Sequence, residues 1–345
     1  MHTLIIGGGL SGLALAEALE REGRDYLLVE ARDRVGGRIL SAQVGGASFD
    51  LGPAWFWSGQ QRIAALITRL GLQKFDQYAR GELTFEDAQG RVQRGRGFAS
   101  MEGSWRLKGG LSALTDALQD RLPPERVRLN AQVTELAQTP DGITARFANG
   151  EVVRADRVVL ALPPRVAAQI KYTPALPIVA KTVMGDVPTW MAGQAKAVAV
   201  YETAFWRTAG LSGAATSRFG PMIEIHDASP AQDGPSALFG FIGVPPQGRA
   251  DVPALRQHIL AQLVRLFGPE AGRPIKLLVQ DWAYDPLTAT EVDRVPLYAH
   301  PDYGMPAALQ ELWDGRLIMA GTEVAQQFGG YLEGALEAAE AAFRT

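Results

Sequence analysis

The sequence predicts an α/β fold: a Rossmann-like dinucleotide-binding domain carrying a smaller domain of mixed β-sheet and helix. Three observations predict it. A strand, a glycine loop, a helix and a second strand occupy the first 30 residues. A block of short strands with hairpin turns fills the middle. A strand that runs through glycines into a helix closes the sequence. At 345 residues the chain is long enough for two packed domains.

The elements follow in order. Residues 4–6 form an apolar run, 10–21 carry helix-spaced apolar positions, and 26–29 form a second strand. The short links make this a parallel βαβ unit. Residues 61–70 read as an amphipathic helix, and 109–121 as a helix behind a glycine pair. Strands follow at 127–129, 133–137, 143–147, 151–154 and 158–161, with Pro140-Asp141-Gly142 and Asn149-Gly150 supplying hairpin turns. After the proline-rich 174–188, strands are expected at 195–201, 222–226, 237–243 and 275–282, and a helix at 252–267. A strand at 317–320 and a helix at 331–343 complete the chain. Nucleotide-binding signals stand at both ends and in the middle. The expected division is therefore a discontinuous first domain of 1–78, 102–173 and 284–345, with a second domain of 79–101 and 174–283.

Composition narrows the function. A net charge of -3 offers no electrostatic attraction to nucleic acid or an anionic membrane. With no cysteine, disulfides, thiolate-held metals and thiol nucleophiles are excluded. The four histidines have no metal-ligand spacing. The N-terminal apolar run has no basic residues before it and is broken by glycines, so it reads as a strand rather than a leader. No apolar run approaches the roughly 20 residues of a membrane span. A soluble, cytoplasmic protein is the expectation.

The chemistry starts at Gly7-x-Gly9-x-x-Gly12. The first glycine permits the turn, the second admits a pyrophosphate to the backbone, and the third lets helix and strand pack. Leu10 and Ser11 open the helix, whose unpaired N–H groups attract phosphate. Glu30, at the end of the second strand, is placed to accept from ribose hydroxyls. These features indicate a dinucleotide without separating FAD from NAD. The following residues do: in Arg32 to Arg38, Gly36 and Gly37 allow a second close approach and Arg38 neutralises a diphosphate.

In this segment, VEARDRVGGR, the sequence resembles the flavin-containing amine oxidase family, the group of monoamine and polyamine oxidases. The resemblance implies a GR2-type FAD-binding domain. FAD is expected to be noncovalent, since no cysteine exists and no histidine lies in the flavin motifs. Asp50-Leu51-Gly52-Pro53-Ala54-Trp55 matches the family's turn under the flavin, so Gly52, Pro53, Ala54 and Trp55 join the cofactor set, with Arg32, Gly37 and Arg38. Gly321, Glu323, Gly330, Tyr331 and Leu332 match the closing flavin motif. There Glu323 is implied at the ribityl–diphosphate region and the Leu332 amide at the pyrimidine end. A helix N-terminus suits the negative charge of reduced flavin there. Val133 stands where the family's backbone binds adenine.

Lys196, shortly before Phe205-Trp206, matches a lysine that holds a water against flavin N5. An ammonium within an apolar strand needs such a reason, because its burial is costly. Trp282 matches a tryptophan completing that site, and Tyr331 one of two tyrosines that sandwich the amine. Lys196, Tyr331 and Trp282 are the catalytic candidates. The second tyrosine position falls near Val292, with Tyr284 and Phe328 as alternatives. Longer family members also carry a largely helical stretch between what are here Arg96 and Glu102. Its absence predicts a shallower or more open active site. Glu224 and His226 share a strand face, expected to be solvated, with recognition of an ammonium as the sharper alternative. Trp55, Phe56, Trp57, Phe239 and Phe241 are expected in the core or, as alternate members, along a flat apolar pocket.

The resemblance implies an amine oxidase: hydride leaves the amine α-carbon for flavin N5, and O2 is reduced to H2O2. Two alternatives stay open. One is a flavin oxidase or dehydrogenase for a carotenoid-, porphyrinogen- or reduced-pyridine-like substrate. The other is a nonenzymatic FAD-binding module. The expected partners are a small molecule and O2, without nucleic acid or membrane. Oligomeric state is open, and a homodimer would supply a roof.

Overall fold

The computed structural model describes residues 1–231, 234–295, 297 and 299–345. A five-stranded parallel sheet runs in the order Leu317–Met319, Arg157–Leu160, Thr3–Ile6, Tyr26–Val29, Val127–Arg128. Three distant parts of the chain thus meet in one sheet. Its central strands are buried along their whole length. A parallel sheet covered on both faces requires this, and it explains why those strands read as continuous apolar runs. Alternate side chains go to opposite cores. Ile5, Leu28 and Val159 meet helices Leu10–Arg21 and Leu332–Arg344. Leu4, Ile6, Leu27, Val29, Val158 and Leu160 meet a four-stranded sheet of Val152–Ala155, Gly142–Phe147, Val133–Thr139 and Lys171–Thr173.

A seven-stranded sheet runs Lys276–Asp281, Ala195–Tyr201, Ser236–Ile242, Met222–Asp227, Leu211–Ser217, Glu82–Glu86, Val92–Gly95. It is antiparallel except where Leu211–Ser217 meets Glu82–Glu86. Helix Val252–Phe267 packs on one face, against Ala197, Ala199 and Tyr201. Val198 and Val200 point to the other face, toward Phe49, Leu51 and Trp55. The two-residue period of a strand therefore turns Lys196 toward the parallel-sheet side.

Several elements lie outside the sequence reading: strands Glu82–Glu86, Val92–Gly95 and Leu211–Ser217, helix Ile178–Asp186, and the hairpin of Ser41–Val44 with Ala47–Asp50. Leu211–Ser217 reads LSGAATS and has little strand propensity of its own; pairing on both sides makes it a strand. The strand expected to include Trp282 stops at Asp281, whose side chain accepts from the Ala283 amide and starts a 3-10 turn. The solvated face expected for Glu224 and His226 is corrected. His226 is 3% exposed, stacked on Phe239 and edge-on to Trp55. Among the described residues, no helix is long and apolar enough to cross a membrane.

Candidate active site

The glycine loop and its partners form a cradle. Helix Leu10–Arg21 starts at Gly9 with no side-chain cap and no acidic residue in its first turn. Its first N–H groups have no partners within the helix. A Cβ on Gly12 would overlap the Gly7 carbonyl oxygen, whereas nothing lies within 4 Å of a Cβ position on Gly9. The helix is thus drawn tight beneath the loop while the space beside Gly9 stays open. Glu30 accepts from the Gly8 and Arg32 amides at 2.8 and 2.9 Å. The Gly36 amide donates to the Gly8 carbonyl at 2.8 Å and lays the second glycine segment against the first. Arg38 Nη1 donates to Glu323 Oε1 at 2.6 Å, and Glu323 is fully buried. Burial pulls the Arg38 pKa down, but the Glu323 carboxylate outweighs it and the net direction is up. The other Glu323 oxygen is buried without a partner. An open backbone cradle, two arginines and an orphaned buried acceptor fit a ribosyl diphosphate cofactor.

A cavity of about 380 Å³ runs from this cradle to the inner face of the seven-stranded sheet. Lys196 stands in its wall, only 4% exposed. Its ammonium donates to the Gly52 carbonyl at 2.6 Å and the Asp50 carbonyl at 3.4 Å. It lies 4.3 Å from the Phe239 ring centre, 5.7 Å from Phe241 and 5.8 Å from Trp55. Burial pushes its pKa down to about 7, against the pull of the Asp50 carboxylate. Asp50 is itself pushed up by burial, and one of its oxygens has no partner. Trp282 Nε1 donates to the Leu51 carbonyl at 3.1 Å. Lysine and tryptophan are therefore both tied to carbonyls of the 50–52 turn. That turn sits directly on the cradle, since a Cβ on Gly52 would overlap the Arg38 carbonyl oxygen.

The structure brings most of the sequence-derived residues into one wall. Gly7, Gly9, Leu10, Ser11, Glu30, Arg32, Gly37 and Arg38 line the cradle end. Gly52, Pro53, Ala54, Trp55, Lys196 and Trp282 line the middle, and Gly321, Gly330, Tyr331 and Leu332 close it. Gly12 packs behind the wall, and Glu323 stands behind Arg38. Val133 lies outside the wall, its side chain in the core beneath the parallel sheet. None of the three positions considered for a second cage ring lines the cavity. Val292 is 59% exposed, Tyr284 46% and Phe328 42%. The rings near Tyr331 are Trp57, edge-on at 6.4 Å, and His300, stacked at 4.9 Å with Trp190 against its edge. Trp57 and Trp190 line the cavity. Trp190 carried no sequence signal, because it lies in an irregular stretch. The aromatic alternation is resolved: Trp55, Trp57 and Phe241 face the cavity, while Phe56 and Phe239 are core.

Comparison with known proteins agrees with this geometry. The family model described as flavin containing amine oxidoreductase matches residues 10–101 and 97–342, two stretches that meet in the short segment before Glu102. A putative flavin-containing monoamine oxidase AofH of Mycobacterium tuberculosis is 27% identical, covering 99% of this chain and 95% of the relative. A probable flavin-containing monoamine oxidase A of Dictyostelium discoideum is 24% identical, covering 97% and 94%. Among solved structures, cyclohexylamine oxidase from Brevibacterium oxydans superposes with a TM-score of 0.83 at 22% identity, over 100% of this chain and 98% of that one. Wild-type putrescine oxidase bound to putrescine gives 0.82 at 21%, with the same coverage. The chain belongs to the flavin-containing amine oxidoreductase family, whose usual cofactor is FAD.

Proposed function

We propose that the protein oxidises the α-carbon of an amine in this cavity, with FAD held noncovalently and O2 as final acceptor, giving H2O2. Bound FAD supplies the acceptor for the hydride that leaves the amine. The observation that carries the reading is Lys196, a buried ammonium in the wall between the cofactor cradle and the aromatic end. Gly9, Leu10, Ser11 and Arg38 would hold the diphosphate, Glu30 a ribose, and the Leu332 amide the pyrimidine edge of the ring. Tyr331, Trp57 and Trp190 would flank the amine and exclude water. Lys196 would hold a water and keep positive charge beside the site of O2 reduction. Among the described residues, Glu30 is the one carboxylate in the lining, and no histidine or cysteine is there. The amine would therefore react in its neutral form without a carboxylate or imidazole base, and among the described residues no cysteine or histidine of the lining offers the usual covalent link to flavin. The apolar aromatic end suits an amine with an apolar body. A cysteine-free chain suits a reducing cytoplasm. Anaerobic mixing of the FAD-loaded protein with a panel of amines should bleach the flavin absorbance near ~450 nm. If no amine bleaches it, the reading fails.

A further inference from the structure

The chain crosses from strand Val92–Gly95 to strand Trp105–Leu107 through a short bridge. Arg96, Gly97 and Phe98 on this bridge are exposed, whereas Ala99 is buried. The Glu102 amide donates to the Ala99 carbonyl, and the Ser104 amide to the Met101 carbonyl, so residues 99–104 form a turn. At its tip Met101 enters the cavity wall, which Trp57 and Phe241 also line, and packs against the core that holds Trp55 and Phe239. Ser100 Oγ donates to Glu224 Oε1 at 2.6 Å, and His226 Nε2 contacts that same oxygen at 2.8 Å. The His226 ring is wedged between Phe239 and Trp55, and Trp55 is itself in the cavity wall. A continuous line therefore runs from the bridge, through one carboxylate oxygen, to the aromatic wall.

We propose that Glu224 latches this bridge across the cavity and that Met101 is the specificity-determining residue of the amine end. Glu224 acts through the bridge, as a positioning residue. His226, immobilised by two rings, fixes the carboxylate, which fixes Ser100, which sets how far Met101 reaches over the pocket. The body of the substrate then meets a thioether rather than a polar roof. This proposal rests on amine oxidation as the function, but the latch also has a test that does not.

Trypsin digestion of the FAD-loaded protein reads the latch through cleavage after Arg96. Ser100→Ala and Glu224→Ala should each speed this cleavage several-fold. Glu224→Gln, which retains an acceptor oxygen, should restore the wild-type rate. Unchanged cleavage in both alanine variants overturns the latch. Met101→Ala should raise kcat/KM for a bulky ring-bearing amine relative to a small one by about tenfold, as expected for apolar groups removed from a pocket wall. The change should appear in KM more than in kcat. An unchanged ratio, in a protein whose wild type oxidises both amines, overturns the role of Met101. If the wild type oxidises no amine, the functional reading falls and Met101's role with it, while the cleavage rates still decide whether the latch exists.

Discussion

Lys196 concentrates the electrostatics of the site in one side chain. Its ammonium is bound to two backbone carbonyls and surrounded by three rings, with water almost wholly excluded. Burial lowers its pKa to about 7 from 10.5, and the Asp50 carboxylate offsets only part of that shift. Between those two values the unfolded chain binds more protons than the folded one, so stability from this group rises with pH across that window. Below pH 7 the folded protein carries the full cost of the buried charge. Lys196→Met should therefore raise the Tm. The gain should be largest below pH 7 and shrink as pH rises toward 10.5, which thermal melts at several pH values will show. The same substitution should slow reoxidation by O2 far more than reduction by amine in stopped-flow experiments. Equal effects on both half-reactions would remove the proposed role of the charge.

Among the elements, two helix starts carry the site, each in a different way. Helix Leu10–Arg21 leaves its N-terminus open, and its close seat on the first strand depends on the missing side chain at Gly12. Gly12→Ala should push the helix off the loop. The purified variant should lose FAD on gel filtration, and retention of stoichiometric FAD would contradict the cradle. Helix Gln61–Arg69 has no local side-chain cap. Its first amides are instead satisfied by Glu333 on the last helix: Arg62 N and Ile63 N each donate to that carboxylate at 2.9 Å. Glu333 is 1% exposed. Glu333→Ala should cost about 1–2 kcal/mol, the range of a lost helix cap, read as a shift in the urea midpoint. Gln60 and Leu332, adjacent to this junction, both line the cavity, so some loss of cofactor affinity should accompany it.

At the scale of the molecule, the cavity wall is drawn from residues 7 to 335, from the segments that follow the parallel strands and from the seven-stranded sheet. A cofactor seated there touches segments from both ends and the middle of the chain at once. FAD loading should therefore raise the stability of the whole chain by about 2.7 kcal/mol at a hundredfold excess over Kd. Calorimetry of apo and loaded protein should show one shifted transition. Acid precipitation of the loaded protein should release FAD to the supernatant, and flavin that remains on the polypeptide would contradict noncovalent binding.

The cofactor end was legible in the sequence because local rules govern it. A glycine loop, a helix start and a carboxylate at a strand end impose their spacing within some 30 residues, and Gly7 to Arg38 all fall within that span. Helices Leu10–Arg21 and Val252–Phe267 were readable from apolar periodicity. The aromatic end of the cavity was decided by tertiary structure alone. Trp190 reaches the wall from an irregular stretch, and Met101 from a turn held by Glu224. Leu211–Ser217 becomes a strand through its partners. Glu224 and His226 read as a wet sheet face because strand alternation says nothing of what packs above it. Trp55 and Phe239 bury His226, and Trp55 lies more than a hundred positions away along the chain. The sequence alone determined the dinucleotide cradle. The shape of the amine end came from non-local packing, which no spacing along the chain encodes.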